Sequence, residues 1–113
     1  MNTPRTVLIT GGNRGIGHAI ATRFVADGHR VAVTARSGEG PAGALTVRAD
    51  VTDGDSLDAA ISEVEAALGP IEVVVANAGI TKDTLLMRMK DEEFEEVIQT
   101  NLVGVFRVVK RCV

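Results

Sequence analysis

Thr6-Val7-Leu8-Ile9-Thr10-Gly11-Gly12-Asn13-Arg14-Gly15-Ile16-Gly17 is the stretch whose reading decides the fold. An apolar run long enough for a strand meets a glycine-rich turn, and beyond the turn Ile16, Ile20 and Phe24 recur at helical spacing. A strand that delivers the chain to a helix in this way aims the unpaired N–H groups of the first helical turn at an anion. Three glycines divide the work. Gly11 permits a sharp exit from the strand, Gly15 lets backbone approach a diphosphate with no Cβ in the way, and Gly17 lets the helix pack close to the strand. Asn13, Arg14 and Ile16 lie among these glycines and count with them as cofactor contacts. The chain is therefore expected to bind a nucleotide cofactor.

Outward from this point, strand-like and helix-like segments alternate. Asp27-Gly28 closes the first helix, and Val31 to Thr34 is a short strand of buried-sheet character. Residues 37–43 form a loop by composition, and Leu45 to Val47 is a third strand. Asp53 can cap a helix whose apolar stripe is Leu57, Ala60, Ile61, Val64, Ala67 and Leu68, ended by Gly69-Pro70. Ile71 to Ala76 is a fourth strand, nearly all apolar, as suits a parallel strand covered on both faces. A long helical pattern follows, opened by the acids between Asp91 and Glu96, with Phe94, Ile98, Val105 and Val108 on its buried stripe. The plan is α/β, a Rossmann-like doubly wound parallel sheet in three α/β/α layers.

Composition narrows the class. A chain of 113 residues, 45% hydrophobic, suffices for one packed domain over residues 1–113 and not for two. A net charge of -3 argues against nucleic acid as partner, and no apolar run approaches bilayer length, so no membrane role is expected. The first five residues lack an apolar signal core, which points to the cytoplasm. A single cysteine, Cys112, excludes an internal disulfide, and His18 and His29 have no spaced partner, so no metal site is expected.

Charge selects the cofactor. A fold of this type that prefers NAD carries a carboxylate near the end of the second strand, where this chain reads Thr34-Ala35-Arg36-Ser37. Arg36, with Arg14 in the glycine loop, would instead clamp a 2′-phosphate, unless it is a solvated loop arginine; NADP(H) is the expected cofactor. Asp50 and Val51, after the third strand, suit an adenine: the carboxylate accepts from the exocyclic amine and Val51 covers the ring, with helix entry as the rival role. Asn77-Ala78-Gly79, at the end of the fourth strand, leaves room for a ribose or makes a plain turn. Asn101 falls on the apolar stripe of the last helix, either as a satisfied core amide bridging to a loop or as a site residue.

The glycine pattern at Gly11, Gly15 and Gly17, the Asn77-Ala78-Gly79 turn and Asn101, in that order and separation, resemble the classical short-chain dehydrogenase/reductase family along the whole chain. Within it, Gly79 to Asp83, Leu85 to Phe94 and Thr100-Asn101-Leu102 are similar to the 3-oxoacyl-[acyl-carrier-protein] reductases of bacterial fatty acid synthesis. The resemblance implies hydride transfer from NADPH to the 3-keto group of an acyl chain on acyl carrier protein. It also implies a homotetrameric parent, Asn101 as a catalytic residue that holds a relay water at a helix kink, and an acyl entrance near Leu85 to Met89. Arg88, Arg107 and Arg111 are basic candidates for the acidic carrier protein.

Two departures stand out. Ala76 replaces the first of two asparagines that usually precede Ala78-Gly79. The family's serine, tyrosine and lysine have no counterpart, since the chain has no tyrosine, and Lys82, Lys90 and Lys110 have none to tune. The expectation is of an N-terminal, cofactor-binding portion cut short after the fourth strand and its following helix, inactive alone, with that strand left as an apolar edge prone to aggregation. The alternatives are a non-catalytic NADP-binding module, or a short-chain reductase of another ketone such as a polyketide or acyl-CoA thioester.

Overall fold

Alternation along the first strand divides the interior in two. In the computed structural model, which describes residues 3–80 and 86–113, β1 (Thr6–Thr10) is buried throughout. Val7 and Ile9 join Ala21, Val31 and Val33 in one cluster, and Leu8 joins Ala32, Val47, Leu57, Ala60, Ile61 and Val64 in the other. Successive strand residues point to opposite faces, so each face needs its own helical cover. α1 (Gly15–Ala26) covers the first; α2 (Gly54–Leu68) covers the second, with Val108 of a later helix beside it.

β2 (Arg30–Ala35), β3 (Leu45–Arg48) and β4 (Val73–Val75) complete a parallel sheet of order β3-β2-β1-β4. The chain winds outward from β1 to β3, then crosses back so that β4 pairs on the other side of β1, Leu8 opposite Val74. A switch point of this kind opens a crevice beyond the carboxyl ends of β1 and β4. It is the Rossmann-like plan expected from the sequence.

The helix borders follow local chemistry. Asp53 caps α2 by accepting from the backbone N–H groups of Asp55 and Ser56 at 3.0 and 3.3 Å. Leu57, Ala60, Ile61 and Val64 are buried as the stripe requires, whereas Ala67 is exposed and the half-buried Leu68 packs against the cluster beside it. β4 is shorter than its apolar run and only half-buried: it lies at the edge, as expected, with β1 as its one neighbour among the described residues. Its last ladder position gives way at Asn77, whose N–H turns to the Thr10 hydroxyl.

The long last helix is three pieces in a row. α3 (Asp91–Ile98) runs into a π-helical segment (Gln99–Val103) and then α4 (Gly104–Cys112). Val108 is buried, Ile98 and Val105 are half-buried, and Phe94, Leu102 and Phe106 stand exposed, so the predicted stripe is covered only where it meets α2 and the sheet. Among the described residues no helix is long and apolar enough to cross a membrane, and no three metal-ligating side chains cluster.

Candidate functional site

Thr10, the last residue of β1, lies opposite Thr34, one residue before the end of β2, and their buried hydroxyls organise the crevice. Thr10 Oγ1 accepts from the N–H groups of Asn77 and Ala78 at 3.0 and 3.1 Å, and Thr34 Oγ1 accepts from Gly11 at 3.2 Å. Asn77 Nδ2 then donates to the Gly11 carbonyl at 3.2 Å, tying the loop after β4 to the loop after β1. The loop after β2 is tied in as well, because Asn13 Nδ2 donates to the Ser37 carbonyl at 3.0 Å.

These ties frame a cleft of about 440 Å³ lined by residues of all four strand ends. Every residue singled out from the sequence for cofactor contact lines it except Gly17, and Ile80 and Thr100 join them. Gly17 is buried beneath: a Cβ there would lie 2.4 Å from Asn77 Nδ2 and 2.5 Å from the Gly11 carbonyl oxygen, so its role is close packing. Gly11 has φ +68 and sits against Ala78, while Gly15, at φ +60, has nothing within 4 Å of the place a Cβ would take. That space is where a ligand's phosphates can meet backbone. Arg14, the N-cap of α1, offers no side-chain cap, which leaves the amides of the first turn for an anion.

Arg14 and Arg36 are exposed cleft residues whose side chains make no hydrogen bond or ion pair among the described residues. Arg48, from the end of β3, holds the adjoining loop by donating to the Gly38 carbonyl and pairing with Glu39 at 3.2 Å. Val33 fixes that loop from below. A Cβ on Gly12 would lie 2.4 Å from its Cγ1, and one on Gly40 2.5 Å from its Cγ2, so two loops rest on one isopropyl group.

Asp50 is oriented by its own turn. Its Oδ1 accepts from Thr52 Oγ1 at 2.6 Å and Thr52 N–H at 2.9 Å. Those bonds, the hydroxyl's first, hold the carboxyl below its ordinary range; burial opposes them, and Arg36 and Arg107 add smaller attractions. Both bonds fall on Oδ1, and Oδ2 accepts none among the described residues.

Asn101, exposed in the π segment, grips one residue of the β4 loop at both ends: Ile80 N–H donates to Oδ1 at 2.8 Å, and Nδ2 donates to the Ile80 carbonyl at 2.7 Å. The bridging role weighed from the sequence is thus present, though at an exposed rather than a core position. The acyl entrance expected from the sequence is described only in part, since 81–85 lie outside the described residues; Met87 is 97% exposed. Of the basic candidates for the carrier protein, Arg88 is exposed, whereas Arg107 and Arg111 are engaged with Val51, Gln99 and Asp58.

Sequence reasoning passed over Thr10, Thr34, Gly12 and Gly40. A threonine closing an apolar strand was the available signal for the first two, because a polar residue there has reached the end of the ladder and the edge of the site.

A switch-point crevice with a glycine loop and an uncapped helix N-terminus defines a dinucleotide-binding α/β protein. The chain belongs to the short-chain dehydrogenase family, whose model matches residues 5–113, and that membership implies a nicotinamide cofactor. It is 57% identical to the 3-oxoacyl-[acyl-carrier-protein] reductase MabA of Mycobacterium tuberculosis, over 96% of this chain and 44% of that protein. With the reductase FabG of Staphylococcus aureus it shares 39% identity over 99% of this chain and 50% of that one. The chain thus spans about half the length of the curated relatives it matches. Among solved structures, the aldohexose dehydrogenase of Thermoplasma acidophilum superposes with TM-score 0.90 at 34% identity, over 96% of this chain and 43% of that one. A Serratia marcescens short-chain dehydrogenase/reductase mutant, at TM-score 0.86 and 23% identity over 96% of this chain and 49% of that one, shares the fold.

Proposed function

We propose that residues 1–113 form one NADP(H)-binding domain and supply the cofactor-binding part of a 3-oxoacyl-[acyl-carrier-protein] reductase. Bound NADPH would supply a hydride to the 3-oxo carbon of the acyl thioester, yielding the 3-hydroxyacyl product. The chain's own residues bind and orient. Backbone at Gly15 and Ile16 takes the diphosphate; Asn13 braces that loop on Ser37, and Gly11 and Gly17 let it pack. Arg14 and Arg36 clamp the 2′-phosphate, Asp50 Oδ2 accepts from the adenine amine, and Val51 covers the ring. Asn77, Ala78 and Gly79 make the ribose side, while Asn101 sets the position of Ile80 beside it.

The observation that carries the cofactor choice is the pair of cleft-lining arginines, Arg14 and Arg36, whose guanidinium groups have no side-chain partner among the described residues, together with the lack of a carboxylate at the end of β2. The substrate reading is supported by the 57% identity to a reductase of that name. It implies an acyl carrier protein partner, an oligomeric assembly and a cytoplasmic setting. The test is a hybrid in which this chain replaces the matching part of MabA. NADPH consumption with acetoacetyl-[acyl-carrier-protein] is expected, and activity with NADH alone, or on sugars alone, overturns the proposal.

A further inference from the structure

Val51 has two attachments to α4 that the binding reading does not use. Its side chain is seated on Gly104, where a Cβ would lie 2.8 Å from Val51 Cγ2, and its carbonyl accepts from Arg107 Nη1 at 3.3 Å. Arg107 Nη2 donates at the same time to Gln99 Oε1 at 2.9 Å. Gln99 begins the π segment that holds Asn101, so one guanidinium spans that segment and ends on the adenine wall.

The Val51 carbonyl belongs to a particular peptide unit. The other end of that unit is the Thr52 N–H, which donates to Asp50 Oδ1 at 2.9 Å. A peptide is planar, so fixing its carbonyl fixes its N–H, and a cation on the carbonyl also strengthens what the N–H donates. Arg107 thereby reaches the Asp50 carboxylate through one amide plane, and its charge acts on that carboxylate in the same sense. Arg111, one turn on, donates to the Arg107 carbonyl at 3.1 Å and pairs with Asp58 of α2 at 2.8 Å, which keeps the helix in place.

We propose that Arg107 is a positioning residue for adenine recognition, setting the Val51–Thr52 peptide and through it the Asp50 carboxylate, and joining that subsite to the helix of Asn101. The inference rests on the NADP(H) reading. It assigns Arg107 an inward task in place of the carrier-protein contact expected from the sequence.

The test uses 2′,5′-ADP and its inosine counterpart, which lacks the exocyclic amine. A hydrogen bond to a charged acceptor makes the adenine ligand bind about tenfold more tightly to the native chain. In Arg107→Met that ratio falls to about twofold, and Arg107→Lys, which can still reach one acceptor, recovers part of it. An unchanged ratio in Arg107→Met overturns the proposal, and so does equal weakening of both ligands, the mark of a merely structural role. Should Arg107→Met fail to fold, Gln99→Leu keeps the cation and removes its second anchor; the ratio is then expected to fall, and a native ratio overturns the proposal. If the native chain binds neither ligand, the NADP(H) reading falls, and this one with it.

Discussion

Asn77 Nδ2 and the Gly11 carbonyl oxygen, 3.2 Å apart, join the loops that leave the neighbouring strands β1 and β4, with Gly17 packed directly beneath the bond. Sixty-six residues of sequence separate the partners. The geometry of the glycine loop therefore depends on the strand that arrives last in the sheet.

Gly17→Ala tests this junction. Alanine normally stabilises a helix interior by up to about 1 kcal/mol over glycine. Here its Cβ would meet backbone at 2.5 Å, and overpacking of that kind costs about 1–3 kcal/mol. The clash wins, so urea unfolding is expected to show a net loss; a gain in stability would mean that the helix can shift freely.

Thr10→Val removes the hydroxyl that accepts from Asn77 and Ala78 while keeping the shape of the side chain. Two part-buried N–H groups lose their partner, at about 1–3 kcal/mol each where water cannot replace it. Faster amide exchange at residues 77 and 78, with strands β2 and β3 unaffected, is the expected signature.

Arg36→Asp places a carboxylate where the 2′-phosphate is expected. Loss of one charge-assisted contact removes about 1.5–3 kcal/mol, or roughly tenfold to a hundredfold in NADPH affinity, before repulsion is added. Calorimetry should show preference moving toward NADH, and an unaltered preference would falsify the clamp.

Thr52→Val addresses pH. The Thr52 hydroxyl is the largest influence lowering the Asp50 pKa, so the variant should titrate closer to the unfolded value of about 3.9. A depressed folded pKa stabilises the native state above the unfolded value, and the benefit disappears as pH falls through the folded value. The variant should thus lose stability at neutral pH and show a weaker acid dependence below pH 4, checked by carboxyl NMR and urea melts across that range.

The fold was legible because β1, β2 and α2 carry patterns that local physics reads directly: continuous apolar strands, and a helix stripe with Asp53 at its start. The glycine loop marked the cleft for the same reason. What escaped notice depends on long-range pairing. Thr10 and Thr34 look like ordinary strand ends until Asn77 and Gly11 come to meet them. Nor does spacing distinguish an inward arginine from a solvated one, so Arg107 was assigned to the surface although its partners lie at Val51 and Gln99. The π turn at Asn101 is similarly invisible to a stripe drawn at regular helical spacing, which placed that amide in the core.

Val33, held between Gly12 and Gly40, sets a rule for how descendants of this chain can diverge. A bulkier residue at 12 or 40 is tolerated only alongside a smaller one at 33, so the three positions are constrained to drift together. Exchange of an exposed neighbour such as Arg36 carries no such constraint, because it leaves the valine and its two glycines in contact.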